Sequence, residues 1–178
     1  MTNDKIIFLD IDGVLNCQEH YEDLHFIDYK DCRKQSIRDV KHDDINSLDY
    51  YKRNFSLSRI EMLNDLVDQT GAKVVLSASM RKRKTIDELN RIFQYCGATF
   101  SIYDKTDNCG TIRGVEIKKW IDTYNPIDWA IIDDNDDMLP EQLDKLYLTT
   151  EYYGLTLKLC KKIKKQFNET IYTTRQKL

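Results

Sequence analysis

The chain has no Cys-x-x-Cys pair and no His/Cys pattern at zinc spacing. Its five cysteines, Cys17, Cys32, Cys96, Cys109 and Cys160, are odd in number and widely separated. These absences argue against a disulfide framework or a zinc module, so reduced thiols in the cytoplasm are the expectation. Long hydrophobic runs are missing too. The apolar stretch Ile6 to Leu9 ends in Asp10 and is too short for a signal peptide or a membrane span, and no other segment is longer, so a soluble cytoplasmic protein is expected. There is no excess of positive charge: 27 Lys and Arg against 30 Asp and Glu leave a net charge of -3. Nucleic-acid coats and membrane-surface proteins depend on broad positive potential and are disfavoured, although a local basic patch is not. Pro/Gly/Ser-rich linkers, internal repeats and low-complexity tracts are absent. At 178 residues the chain is sized for one domain, residues 1–178, whose core needs no covalent staple.

What is present is an alternation. Ile6 to Leu9 is a short continuous apolar run, the pattern of a strand buried on both faces of a parallel sheet. Similar runs recur at 73–76, 99–102, 129–132 and 146–148. Between them lie helical patterns. Leu57, Ile60, Leu63, Leu66 and Val67 share a face and are followed by Gly71, placed as a C-terminal cap. Thr85-Ile86-Asp87-Glu88 reads as a capping box opening a helix with Leu89, Ile92, Phe93 and Cys96 inward. Residues 115–124 form a third helix, stopped by Asn125-Pro126, and 156–167 a fourth. Alternation of this kind predicts a doubly wound α/β sheet of about five parallel strands with helices on both faces. Ligands in such sheets bind at the carboxyl ends of the strands. Residues 16–54 break the rhythm. They are polar, carry His20, His25 and His42, and read as a small flap inserted after the first strand. No two of these histidines are three or four residues apart, so solvated loop positions are expected, and Trp120 and Trp129 are expected in the core.

Three predicted strands end in chemically loaded residues. Asp10 and Asp12 follow the first, two apart in an extended segment and so on one side, with Gly13 permitting a sharp turn. Ser77-Ala78-Ser79 follows the second, and hydroxyl, backbone amides and a helix N-terminus there form a phosphate cradle. Asp133-Asp134-Asn135-Asp136-Asp137 follows the fourth. If the first and fourth strands are neighbours, four carboxylates crowd together. Each pair at about 4 Å repels by about 4 kcal/mol at an intermediate dielectric. Such a cluster calls for a cation, and all-oxygen donors with room for water and phosphate suit Mg²⁺. Asp133, Asn135 and Asp137 also have calcium-loop spacing. That reading fails because Met138 stands where the loop needs glycine and Asp144 where it needs glutamate.

At these residues the chain resembles the haloacid dehalogenase (HAD) superfamily of aspartyl phosphotransferases, through Asp10-Ile11-Asp12-Gly13, Val75-Leu76-Ser77 and Ile131-Ile132-Asp133-Asp134. Within it, the run from Ile7 to Asn16, Leu76-Ser77-Ala78-Ser79-Met80-Arg81, Arg113-Gly114-Val115-Glu116-Ile117 and Gly154-Leu155-Thr156 look like the HAD domains of Swiss Army Knife RNA-repair proteins. The resemblance implies that Asp10 is a nucleophile toward phosphorus and Asp12 a general acid and base. It implies that Ser77 and Ala78 bind the phosphoryl group, and that Asp10, Asp12, Asp133 and Asp134 form the Mg²⁺ site. The phosphoryl-neutralising cation has no set spacing in the superfamily. Arg113 is the first choice and Lys118 the second. Met80 departs from the pattern, standing where the subfamily usually has Trp, on the expected pocket wall.

The implied activity is that of a phosphatase working through an aspartyl-phosphate on polynucleotide phosphate ends or nucleotides. A phosphatase of small metabolites, and a noncatalytic nucleic-acid or protein binding module retaining the fold, are the alternatives. Arg81, Lys82, Arg83 and Lys84 are the expected grip on a polynucleotide backbone. Tyr21, Tyr29, Tyr50 and Tyr51 either line a substrate mouth or pack the insertion onto the domain.

Overall fold

The computed structural model describes residues 4–24 and 48–175, with side chains through residue 170. Strands β1 (Lys5–Leu9), β2 (Lys73–Leu76), β3 (Ile102–Lys105), β4 (Asp128–Asp133) and β5 (Leu146–Leu148) form one sheet. Its order is β3-β2-β1-β4-β5, and every neighbouring pair is parallel. The described helices are α1 (Gln18–Asp23), α2 (Leu48–Asn54), α3 (Leu57–Thr70), α4 (Ile86–Tyr95), α5 (Arg113–Tyr124) and α6 (Leu157–Arg175).

β1 lies at the centre because every residue from Ile6 to Leu9 is wholly buried, which only a strand covered on both faces allows. Ile7 and Leu9 pack with Ile60 and Leu63 of α3, Leu89 and Phe93 of α4, and Ile163 and Phe167 of α6. Ile6 and Phe8 face the opposite layer, against Ile117 and Trp120 of α5. There the Phe8 and Trp120 rings meet edge to face with centroids 5.4 Å apart. Each such buried Leu, Ile or Phe stabilises the fold by about 1.5–3 kcal/mol relative to exposure, so Phe8→Ala would open the layer between the sheet and α5.

Local signals behave as their chemistry requires. Thr85 and Glu88 form the reciprocal capping box at the head of α4. Gly71 closes α3 in the left-handed region at φ 64°, and Asn125 does the same for α5 at φ 48°.

Three expectations are corrected. The third strand begins at Ile102, three residues later than the apolar run implied. Phe100 is buried against Phe93, so it serves the core from the loop before the strand. β3 is an edge strand with exposed and half-buried residues, which weakens its apolar signature. Leu57 does not join the apolar face of α3, being 57% exposed at its first turn. α6 continues through Arg175, beyond the apolar pattern that ends at Phe167. Within the insertion, α1 and α2 flank a stretch containing His25, Tyr29, Cys32 and His42, which lies outside the described residues.

Candidate active site

The carboxyl edge of the sheet is built by extending its ladder one residue past each strand. Asp10 N donates to Ile132 O at 2.9 Å, Ser77 N to Leu9 O at 2.9 Å, and Thr149 N to Asp133 O at 2.9 Å. Asp10, Ser77 and Asp133 are thus held as rigidly as strand residues while lying where the strands end. Beyond Asp10 the chain coils tightly, with the amides of Val14, Leu15 and Asn16 all directed at Ile11 O. Gly13 takes φ 66°, and a Cβ on it would lie 2.2 Å from Asp134 Oδ2, so only glycine lets the two loops touch. Asn16 accepts from Gly13 N at 3.1 Å and donates to Asp12 Oδ1 at 2.9 Å, orienting that carboxylate. Thr149 Oγ1 donates to Gly13 O at 2.7 Å and braces the same turn from the loop after β5.

Asp10, Asp133 and Asp134 bring carboxylate oxygens within 4.8 Å of one another. Burial, reinforced by Asp10, pushes the Asp133 carboxyl up to about 7, and the same two causes lift Asp134 to about 6. Burial also raises Asp10, against the pull of the Arg113 guanidinium. Such a trio resists holding three negative charges without a cation.

One cation comes from the protein. Arg113 Nη1 donates to Asp10 Oδ1 and to Ser77 O at 3.0 Å. It also lies 3.3 Å from Asp133 Oδ2, an ion pair in which no hydrogen is aimed at that buried oxygen. α5 delivers Arg113 by docking its first turn onto the loop after β4. Gly114 N donates to Asp137 O at 3.1 Å, and Gln142 Nε2 to Gly114 O at 2.9 Å. A Cβ on Gly114 would fall 2.5 Å from Leu139 N, so glycine again permits the approach. Lys118, by contrast, lies on the outer face of α5 and pairs with Asp122.

Ser77 is fully buried, and its hydroxyl has no hydrogen-bond partner. A buried polar group in that state costs free energy, which a bound acceptor such as a phosphoryl oxygen would offset. Ala78 is buried beside it.

The expected role of Arg81 is overturned. Its side chain is buried, paired with Glu116 of α5. It donates to Ser77 O at 2.5 Å, Ala78 O at 3.0 Å and Thr106 O at 3.1 Å. The guanidinium is thus spent clamping the loop after β2 to α5, because five donors in one plane can satisfy several carbonyls at once. Lys82 and Arg83 are exposed and Lys84 half-buried. Glu116 was read only as part of a family-like run and Thr149 not at all; the role of each is recognisable only by its tertiary partner. Trp120 is buried, whereas Trp129 is half-buried beneath the Lys145 ammonium. His20 touches Arg53 O at 3.0 Å on the surface.

The sequence model of the family described as the HAD domain in Swiss Army Knife RNA repair proteins matches residues 6–159. The chain belongs to this family. Searches of curated proteins and of solved structures return no match. In this HAD domain the matched stretch runs from β1 into the first turn of α6, and so contains Asp10, Ser77, Arg113 and Asp133 together. Among its described helices none is long and apolar enough to cross a membrane. Beside Asp12, the HAD domain has a cavity of about 100 Å³ whose lining includes Ala78 and Met80 together with Tyr21, Tyr50 and Tyr51 of the insertion.

Proposed function

We propose that this HAD domain is a Mg²⁺-dependent phosphomonoesterase acting through an aspartyl-phosphate on Asp10, with nucleotides or polynucleotide phosphate ends as substrates. The observation that carries this reading is the convergence of the Asp10 carboxylate, the Arg113 guanidinium and the unpartnered Ser77 hydroxyl on one edge of the sheet. The family description, which speaks of RNA repair, supports the substrate class.

A carboxylate oxygen of Asp10 attacks phosphorus and the bond from phosphorus to the ester oxygen breaks. The leaving oxygen takes the proton of the Asp12 carboxyl, which Asn16 holds in place. Water then attacks the same phosphorus, gives its proton to Asp12, and releases inorganic phosphate and the free Asp10 carboxylate. Arg113 and Ser77 turn to the phosphoryl oxygens, as positioned donors stabilise the charge of the transition state. Asp10, Asp133 and Asp134, with the Asp12 carbonyl, would hold Mg²⁺; their close oxygens and the unbonded Asp133 Oδ2 suit a hard divalent cation. When bound, Mg²⁺ screens the charge between nucleophile and phosphoryl group.

The test is phosphate release from an aryl phosphate with Mg²⁺ or EDTA, by wild type and Asp10→Asn. Activity should need the metal and disappear in the variant. Undiminished turnover by Asp10→Asn would rule out the covalent route.

A further inference from the structure

The cavity beside Asp12 has a use that the phosphoryl chemistry leaves open. In the proposed reaction the leaving oxygen faces Asp12, so whatever that oxygen carries extends toward this space. Three tyrosines line it. Tyr21 is buried and its hydroxyl donates to Asn54 Oδ1 at 3.0 Å, while Asn54 Nδ2 donates to Tyr50 O at 2.6 Å, tying α1 to α2. Tyr50 and Tyr51 pack edge to face at 5.4 Å, are half-buried, and both line the cavity. Met80 supplies a polarizable thioether from the cradle side.

Size limits the occupant. An engineered cavity of about 150 Å³ takes up benzene. One of about 100 Å³ with an open mouth therefore accepts a single ring that protrudes in part, not a stretch of strand. The basic run expected to hold a longer strand is also incomplete, since Arg81 is buried in an ion pair.

We propose that this cavity is the subsite for one nucleobase, that of the nucleotide whose phosphate is removed, stacked on the Tyr50 and Tyr51 wall and covered by Met80. The proposal rests on the phosphatase reading and adds that the protein recognises a terminal base with little contribution from the rest of the strand. Stacking alone tolerates every base, so discrimination comes from size, the single ring of a pyrimidine seating more deeply than the fused rings of a purine.

The experiment compares kcat/KM, with Mg²⁺, for 3′- and 5′-nucleoside monophosphates, ribose 5-phosphate as the baseless substrate, phosphorylated oligonucleotides of increasing length and a phosphotyrosine peptide. The better nucleotide should exceed ribose phosphate by about tenfold to a hundredfold, the worth of one base–aromatic stack, with little further gain from added nucleotides. In Tyr51→Ala that ratio should fall toward one. Tyr50→Ala, which removes the other ring of the pair, should lower it as well and serves if Tyr51→Ala does not fold. Equal rates with and without a base, a ratio that survives both variants, steep length dependence, or preference for the phosphopeptide would each overturn the subsite. If ribose phosphate and aryl phosphate are hydrolysed as fast as nucleotides, the subsite falls and the phosphatase stands. If nothing is hydrolysed, both fall.

Discussion

Gly13 sits where a left-handed backbone and the Asp134 carboxylate meet. Gly13→Ala adds a methyl where Asp134 Oδ2 now lies, and a non-glycine residue in that region costs about 1–3 kcal/mol. The expected outcome is a displaced Asp134 and a rise of about tenfold or more in the Mg²⁺ concentration for half-maximal activity, read from a metal titration. Asp128 tests electrostatics away from the site. Burial would lift its carboxyl, but hydrogen bonds from Lys145, Thr170 and Gln166 hold it below the ordinary carboxylate range. The unfolded chain takes up that proton near about pH 3.9, before the folded one does. Its stabilisation is therefore complete above that pH and is lost as the pH falls through the lower folded value. Urea melts should show a shallower acid loss in Asp128→Asn than in wild type.

At the level of elements, β1, β2 and β4 were legible as unbroken apolar runs because both their faces are buried, while β5, an edge strand with no buried residue, was legible from a short apolar run all the same. β3, at the edge, needs no such run, and Phe100 misplaced it by lending its apolar signal from the preceding loop. The carboxylates and Ser77 were legible because each follows a readable strand. Arg113 was only half legible, since nothing in a linear pattern tells that the first turn of α5 docks on the loop after β4. Arg81 was misread because a basic run looks the same in sequence whether its first member faces water or, as here, Glu116. Replacing Arg81 by Met leaves Glu116 buried without its partner and should destabilise the fold by about 3–5 kcal/mol. Arg81→Met with Glu116→Leu should recover most of that loss in urea unfolding.

On the scale of the molecule, the strand order puts β1 between β2 and β4, so the three strands that carry Asp10, Ser77 and Asp133 are adjacent. Their shared polarity brings the three ends to one edge. The parallel register thereby accomplishes most of the site assembly, and α5 supplies the cation. The covalent role of Asp10 is the central claim. Asp12→Asn tests it because an aryl leaving group needs little protonation, whereas the water of the second step loses its base, so the phosphorylated enzyme should accumulate. The measurement is acid quenching of Asp12→Asn during turnover of an aryl phosphate with Mg²⁺, followed by peptide mass mapping. A phosphoryl group on the peptide bearing Asp10 is the expected result. Turnover with no such adduct, or an adduct on any other residue, would contradict it.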